Sequence, residues 1–306
     1  MTAHDRTADP QPSASLRPAG QAIPPSPGLW RLAARRFAGH RVGMLGALIT
    51  GALIVVAIFG PSLAPHDPNQ MHFMDAFAAP TREFPLGTDD FGRDTLSRIM
   101  YGARISLMVG AIAVSIAASI GTTLGMIAGY SRRLVDEAIM RTMDILLSFP
   151  TILLAIAIMA ILGRGVSNAM IAIGIVYIPI FARIARGEVL SVKNEDYVEA
   201  ARSLGASDAH ILIRHILPNI LPPIIVEVSL SLSFAILAEA ALSFFGLGTQ
   251  PPDPSWGRML SDSRDFFNQS TSMGIFPGLA IMLSVMGFNF LGDGLRDVLD
   301  PRMKGR

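Results

Sequence analysis

Apolar residues are concentrated in six long runs, separated by shorter polar stretches. A helix that crosses the hydrocarbon core of a bilayer, about 30 Å thick, needs roughly 20 apolar residues at a rise of about 1.5 Å each. We predict one spanning helix from each run: 43–64, 105–130, 143–163, 166–185, 221–247 and 274–295. Pro150 is expected to kink the third helix. The third and fourth helices are separated only by residues 163–165 and should form a hairpin.

The polar stretches predict the orientation of the helices. If both termini lie on one side, that side holds 18 of the 25 Lys and Arg residues, and the opposite loops hold seven together with nine acidic residues. Loops rich in Lys and Arg stay in the cytoplasm. We therefore expect both termini, and the loop at about 186–218, to be cytoplasmic.

The composition agrees with an all-α integral membrane protein. Hydrophobic residues make up 51% of the chain, charged residues 16%, and the mean hydropathy is +0.45, whereas about 25% of a typical soluble domain is charged. The net charge of +1 argues against a nucleic-acid partner, and the lack of cysteine excludes disulfides and thiolate sites. We assign 1–40 to a disordered cytoplasmic tail, 41–300 to the membrane domain and 301–306 to a second cytoplasmic tail.

The loop between the fourth and fifth runs carries start and stop signals for two short helices. Asn194 or Asp196 is expected to cap the first helix, and Gly205 to end it in a left-handed conformation. Residues 207–208 offer a second cap, for a helix that should run to Pro218.

Helical spacing gives the first of these helices an apolar face, with Glu199 and Arg202 pointing elsewhere. The residues of that face are Tyr197, Ala200, Ala201 and Leu204. Such a hairpin can lie flat on lipid headgroups or bind a protein partner, and periodicity alone does not choose between them.

The spacing of this loop resembles the EAA loop of the permease subunits of ATP-binding-cassette (ABC) importers. Glu199-Ala200-Ala201 is followed by three residues, Gly205, nine residues and then His215-Ile216-Leu217-Pro218. The variant with Asn219 after Pro218 resembles the dipeptide, oligopeptide and nickel branch, and His215 stands where the usual pattern has Ile.

Three further stretches carry the resemblance, which covers nearly all of residues 40–304. PLGTDDFGRD at 85–94, with residues 97–98 and 102–107, resembles the outer-loop signature of the second permease of peptide importers. PSWG at 254–257, with residues 259–260, resembles the loop before the last span, and LGDGLRD at 291–297, with residues 299–301, resembles the C-terminal ending of the family.

The resemblance implies a type I ABC importer permease fold, and a coupling helix whose apolar face binds a groove on a cytoplasmic ATPase. The residues implicated in coupling are Tyr197, Glu199, Ala200, Ala201, Leu204, Gly205, Ser207 and Asp208. It further implies a second, homologous permease subunit in a heterodimer, two ATPase subunits that bind the ATP and Mg²⁺, and an external substrate-binding protein. The place of the chain would be the bacterial inner membrane, in contact with lipid, with no covalent chemistry and no cofactor of its own.

Several polar residues near the membrane have two interpretations. Segment 85–98 is either part of a surface for a substrate-binding protein or a cap for the following helix, with Arg98 and Arg104 at the membrane interface. Trp256 is expected at the interface as well. The small residues Gly121, Gly125 and Gly129 allow close helix packing, either within this chain or against a second permease.

Polar residues inside the expected spans are candidates for the substrate path. Glu227 and Glu239 lie twelve residues apart, about 120° apart around a helix, so they should not share a face. The candidate path residues are Glu239, Ser233 and Asn289, and Glu239 has an equally good interpretation as a buried structural partner. Serines 229, 231 and 233 are expected to bond back to their own helix.

Other kinds of function find little support in the sequence. There is no Gly-Lys pair and hence no P-loop, no His-Glu-x-x-His, and no convincing catalytic set, so we expect neither a catalytic nor a metal site. The alternative to an importer subunit is a self-contained secondary transporter or channel. That class needs ion-coupling residues at the midplane and, ideally, two matching halves. The sequence shows no convincing internal repeat.

Overall fold

The structure is a computed structural model that describes residues 29–299, with side chains from residue 34 onward. Regular structure in this range is helical, apart from an isolated β-bridge between Thr88 and Asp94. The helices are α1 (Leu29–Gly39), α2 (Arg41–Leu63), α3 (Thr95–Tyr130), α4 (Arg133–Leu147), α5 (Thr151–Leu162), α6 (Val166–Val192), α7 (Asp196–Ser203), α8 (Asp208–Phe244), α9 (Trp256–Ser263) and α10 (Ser272–Leu299), with single 3₁₀ turns at Phe73–Asp75 and Arg264–Phe266.

Among the described residues, five helices are long and apolar enough to cross a membrane, namely α2, α3, α6, α8 and α10. A sixth crossing exists if α4 and α5 count as one span, but these two helices meet at an angle of 95°. The third predicted span is therefore broken rather than kinked. Pro150 is the N-cap of α5, and the residue before a proline is pushed out of the helical region.

Two ends of the bundle follow from this order of helices. The α7 end carries α1, α7, the start of α4 and the end of α10, and the opposite end carries the loops 64–94 and 245–271. Helix α1 shows that the prediction of disorder over 1–40 is wrong for residues 29–39. The predicted tails at 1–28 and 301–306 lie outside the described residues.

The small residues of α3 pack against α6 of the same chain. A Cβ atom at Gly121 would lie 2.5 Å from the carbonyl oxygen of Ile178, and one at Gly125 would overlap the carbonyl oxygen of Ala182. A Cβ atom at Gly129 would lie 2.9 Å from the Cβ atom of Val189. Of the two interpretations of this ladder, packing within the chain is the one that the structure shows.

Helix α8 starts at the α7 end and continues through Pro218, so the predicted stop at this proline is wrong. Residues Ile211–Ile216 form a π-helical stretch, and the N–H of Leu217 bonds to the carbonyl of Leu212. Pro218 then lies in the first turn of the regular α-helix, where a missing N–H is tolerated. The wider turn accordingly makes a continuous helix possible where regular helical geometry predicts an end.

One apolar core extends from the membrane-spanning helices into the loop at the α7 end. Val198 of α7 is buried together with Val189 of α6 and with Ile211, Ile216 and Ile220 of α8. The same cluster continues along α3 and α6. The polar loop is therefore packed onto the spanning helices.

Candidate functional site

Helix α7 follows α6 after only three residues, and its start differs from the prediction. Glu195 is the N-cap and makes no side-chain capping bond. Asn194 donates instead to the carbonyl of Leu190, at 3.4 Å, because the end of α6 is so near. Neither Asn194 nor Asp196 caps the helix, and this part of the prediction is wrong.

The end of α7 confirms the predicted role of Gly205 in the backbone. Its φ is +83°, in the left-handed region. The N–H of Gly205 bonds to the carbonyl of Arg202 at 3.0 Å, and that of Ala206 to the carbonyl of Ala201 at 3.1 Å. This pair of bonds is a Schellman motif. Ser207 then caps α8, as predicted, by accepting from the N–H of His210.

The apolar residues of α7 are divided between two faces. Val198 is buried in the core and Ala201 is half-buried beside it. Tyr197, Ala200 and Leu204 face outward, and Leu204 is 89% exposed. The predicted single face is wrong for Ala201, which belongs to the inner side. The outer side is an apolar strip with no cover in the described chain, and we call Tyr197, Ala200 and Leu204 the α7 strip.

Tyr130, at the end of α3, connects both arms of this loop, and sequence reasoning missed it. Its hydroxyl donates to Asp208 Oδ1 at 2.7 Å and accepts from Arg202 Nη2 at 3.4 Å. The hydrogen bond to Tyr130 raises the pKa of Arg202. Lys193 Nζ also donates to the carbonyl of Gly129, at 2.8 Å. No local pattern reveals these contacts, because they join residues more than 60 positions apart.

Removing the Tyr130 hydroxyl should loosen the loop without unfolding the bundle. We expect Tyr130→Phe to increase amide hydrogen exchange at residues 204–210 by about tenfold, since the short bond to Asp208 contributes about 0.5–1.5 kcal/mol and the longer bond from Arg202 adds less. Tyr101→Phe is the matched control, because it removes a single bond to the carbonyl of Pro61 at the opposite end. Equal exchange at 204–210 in both variants would contradict the role of Tyr130.

At the opposite end, loop 64–94 is fixed to α3 by buried charges. Asp94 caps α3 by accepting from the N–H of Ser97 at 3.0 Å. Asp89 pairs with Arg93 at 2.6 Å and with Arg98 at 3.5 Å. Burial, reinforced by the Asp89 charge, raises the pKa of Asp90. Arg98 is only 2% exposed, so its predicted place at the membrane interface is wrong.

Trp256 is also inside the bundle. It is 1% exposed, and its Nε1 donates to the carbonyl of Ile99 at 3.1 Å. The predicted interfacial position is therefore wrong. Buried indole groups need such a partner, and the carbonyl comes from a helix 157 residues away in sequence.

Glu239 lies in a closed cluster of hydrogen bonds. Its carboxylate is 1% exposed and accepts from Ser106 Oγ at 3.0 Å and from Ser243 Oγ at 2.7 Å. Ser243 Oγ accepts in turn from the N–H of Thr249, and Ser106 Oγ from the N–H of Trp256. Each serine hydroxyl therefore links one backbone N–H to the carboxylate. The cluster connects loop 245–255 to α3 and α8.

The other polar residues of the spans do not join this cluster. Ser233 is buried, and its hydroxyl has no hydrogen-bond partner among the described residues; Asn289 is half-buried. Ser229 bonds to the carbonyl of Ile225, as predicted, whereas Ser231 donates to Glu227. The predicted bond to the own helix is therefore wrong for Ser233, and for Ser231 it is made to a side chain of that helix rather than to its backbone. A role of Glu239, Ser233 and Asn289 in the substrate path stays a prediction.

Replacing Glu239 by Gln should lower the thermal stability of the assembled protein. An amide accepts through one oxygen only, so one serine hydroxyl loses its acceptor in a buried site, at a cost of about 1–3 kcal/mol. The check is the thermal midpoint in detergent. Glu227→Gln is the control, because Glu227 is half-buried and accepts one side-chain bond, from Ser231. A midpoint shift no larger than that of the control would contradict the clustered arrangement.

Comparison with known proteins agrees with this geometry. Residues 121–305 match the family "Binding-protein-dependent transport system inner membrane component", and residues 28–80 match the "N-terminal TM domain of oligopeptide transport permease C". The dipeptide transport system permease protein DppC of Alkalihalophilus pseudofirmus is 50% identical over 90% of both chains. The glutathione transport system permease protein GsiD of Escherichia coli O157:H7 is 47% identical over 90% of this chain and 91% of the relative.

A solved structure shows the same fold. The permease chain of the MetNI methionine ABC transporter, in an inward-facing conformation, is 18% identical, with a TM-score of 0.54 over 64% of this chain and 94% of that chain. The expected type I permease fold is thereby confirmed, as is the family that the EAA spacing indicated. The chain belongs to the inner membrane components of binding-protein-dependent transport systems, and it is a multi-pass permease subunit of a bacterial ABC importer.

Proposed function

We propose that the chain forms half of a translocation path for dipeptides or similarly small peptides, glutathione included. The support comes from relatives that are 46–50% identical over most of their length and that are permeases for dipeptides, di- and tripeptides or glutathione. The other half of the path would come from a second, homologous permease in a heterodimer. A substrate-binding protein on the outside would deliver the peptide, and segment 85–98 lies at the end of the bundle where it would dock.

The α7 strip is the observation that carries the coupling proposal. It is an uncovered apolar surface on a helix whose other side, through Val198, is packed into the core of the spanning helices. An exposed apolar strip of this kind fits a partner groove. We propose that the partner is one of two cytoplasmic ATPase subunits, which bind the ATP and Mg²⁺, while this chain binds no cofactor.

The residues of the coupling loop divide the work in this proposal. Tyr197, Ala200 and Leu204 contact the ATPase, and Glu199 is exposed on another face of the same helix. Ala201 packs inward, Gly205 makes the turn, and Ser207 and Asp208 fix the start of α8. Movement of the ATPase groove would then be transmitted to the spanning helices through α7.

A crosslinking experiment tests both the partner and the orientation. The chain has no native cysteine, so Leu204→Cys gives a single reactive thiol on the α7 strip. We expect this thiol to crosslink to the ATPase subunit. We also expect it to react with a membrane-impermeant maleimide only when the cytoplasmic membrane is permeabilised. Phe267→Cys is the control, because Phe267 is exposed at the opposite end. It should react with the same maleimide while the cytoplasmic membrane is still intact. The reverse labelling pattern would overturn the orientation.

Reconstitution separates the proposal from the alternative of a secondary transporter. With the partner subunits in liposomes, we expect dipeptide uptake to require ATP and to persist when proton and sodium gradients are collapsed. Uptake by this chain alone, driven by such a gradient and without ATP, would overturn the proposed function.

A further inference from the structure

A groove of about 390 Å³ lies between α2 and α3 on the outside of the bundle. Its lining is apolar except for one arginine, Arg104. The apolar residues are Ile54, Ala57, Ile58, Leu107, Met108 and Ala111. Ile54, Ile58 and Met108 are exposed in the described structure, so the groove is open along its side.

The groove is closed at one end. A Cβ atom at Gly60 would lie 3.1 Å from the carbonyl oxygen of Met100, so the two helices nearly touch there. The Tyr101 hydroxyl donates to the carbonyl of Pro61 at 3.2 Å at the same level. Arg104 follows within one helical turn. The apolar lining then continues about 10 Å further along α3, to Ala111. The charge therefore lies at the end of the groove that is nearer to the membrane surface.

Arg104 has no partner among the residues whose side chains the structure describes. It makes no ion pair and no hydrogen bond there, whereas Arg93, Arg98 and Arg258 each pair with an aspartate. A guanidinium beside an apolar membrane surface is costly unless a negative group is near. Arg104 is exposed, so a negative group that pairs with it would come from outside the described residues.

We propose that this groove binds a phospholipid, with the phosphate on the guanidinium of Arg104 and one acyl chain along the apolar lining. A guanidinium binds phosphate oxygens through two parallel hydrogen bonds. These bonds are stronger beside an apolar groove, where water competes less for the guanidinium. A ligand with one anionic head group and a long apolar tail is complementary to the groove, which has one cation at its end and an apolar lining beyond it. The site is independent of the transported solute, and it lies in the leaflet at the opposite end from α7.

Lipid binding to the whole purified transporter tests the proposal. The complex is stripped of lipid and titrated with phosphatidylglycerol, and bound lipid is counted by native mass spectrometry. Diacylglycerol, which has the same chains without phosphate, is the second probe. We expect Arg104→Gln to weaken phosphatidylglycerol binding at one site about tenfold or more, and to leave diacylglycerol binding unchanged. Arg164→Gln is the matched control, because Arg164 is exposed and makes no ion pair among the described residues.

A second variant tests the apolar part of the groove with Arg104 intact. Ala111→Phe should fill the far end and weaken both probes alike. If Arg104→Gln does not assemble, Arg104→Lys keeps the charge without the paired geometry and should weaken phosphatidylglycerol binding by less.

Two results would overturn the proposal. One is phosphatidylglycerol binding that is the same in the wild type, Arg104→Gln and Arg164→Gln. The other is efficient crosslinking of Ile58→Cys to the second permease subunit, because the groove would then be covered by protein.

Discussion

Replacing Gly205 by Val should lower ATP-dependent peptide uptake about tenfold or more, with all subunits still present in the membrane. A left-handed backbone costs an ordinary residue about 1–2 kcal/mol, and a β-branched residue more. Space is not the obstacle, because a Cβ atom at Gly205 meets no other atom within 4 Å in the described chain. The variant should therefore change the angle between α7 and α8 rather than the packing of the bundle. We expect ATP hydrolysis to continue without matching uptake.

Two controls isolate the backbone as the cause. Asn adopts the left-handed conformation more readily than other side chains do, so Gly205→Asn should retain most of the uptake. Gly187→Val introduces the same side chain at a glycine in α6 that also has open space around it, but that lacks a positive φ. Normal uptake by Gly205→Val at normal subunit levels would count against coupling through this turn.

Gly125→Leu should prevent the folded permease from accumulating. At this position the Cβ atom would overlap a backbone carbonyl oxygen of α6, and backbone cannot turn aside as a side chain can. Overpacking alone costs about 1–3 kcal/mol in soluble cores, and here the two spanning helices with the most extensive mutual contact would have to separate. The measurement is the fraction of protein that survives heating in mild detergent as a single species by size-exclusion chromatography.

A glycine in an open position provides the control for this variant. Gly51→Leu adds the same side chain to α2, where a Cβ atom meets nothing within 4 Å. We expect it to behave like the wild type. A folded, heat-resistant Gly125→Leu protein would mean that α3 and α6 do not pack as the structure shows.

The spanning helices could be predicted because the bilayer imposes a local condition, a long apolar run, that the sequence states directly. The roles of Gly205 and Ser207 could also be predicted, since turns and helix caps depend on residues that are neighbours in the sequence. Pro150 and Pro218 show where local rules stop. The first breaks a helix that the apolar run predicts as continuous, and the second lies within a helix because a π-helical stretch precedes it.

Burial of single polar or aromatic residues was the part that sequence reasoning could not supply. Arg98 and Trp256 resemble interfacial residues by type and position, yet each is enclosed by segments distant in the chain. Tyr130 belongs to no sequence motif that would have indicated its role. Its role depends on Arg202 and Asp208 arriving beside it from more than 70 residues away.

The burial of Val198 in the same core as Ile211, Ile216 and Ile220 has a mechanical consequence. Close-packed interiors have low compressibility, so a force applied at α7 reaches α3 and α6 with little slack. A displacement of α7 is then transmitted to the spanning helices through this core. If the ATPase binds the α7 strip as proposed, shortening Ile216 should reduce the movement of the spanning helices that accompanies ATP binding, although Ile216 itself lies in the core.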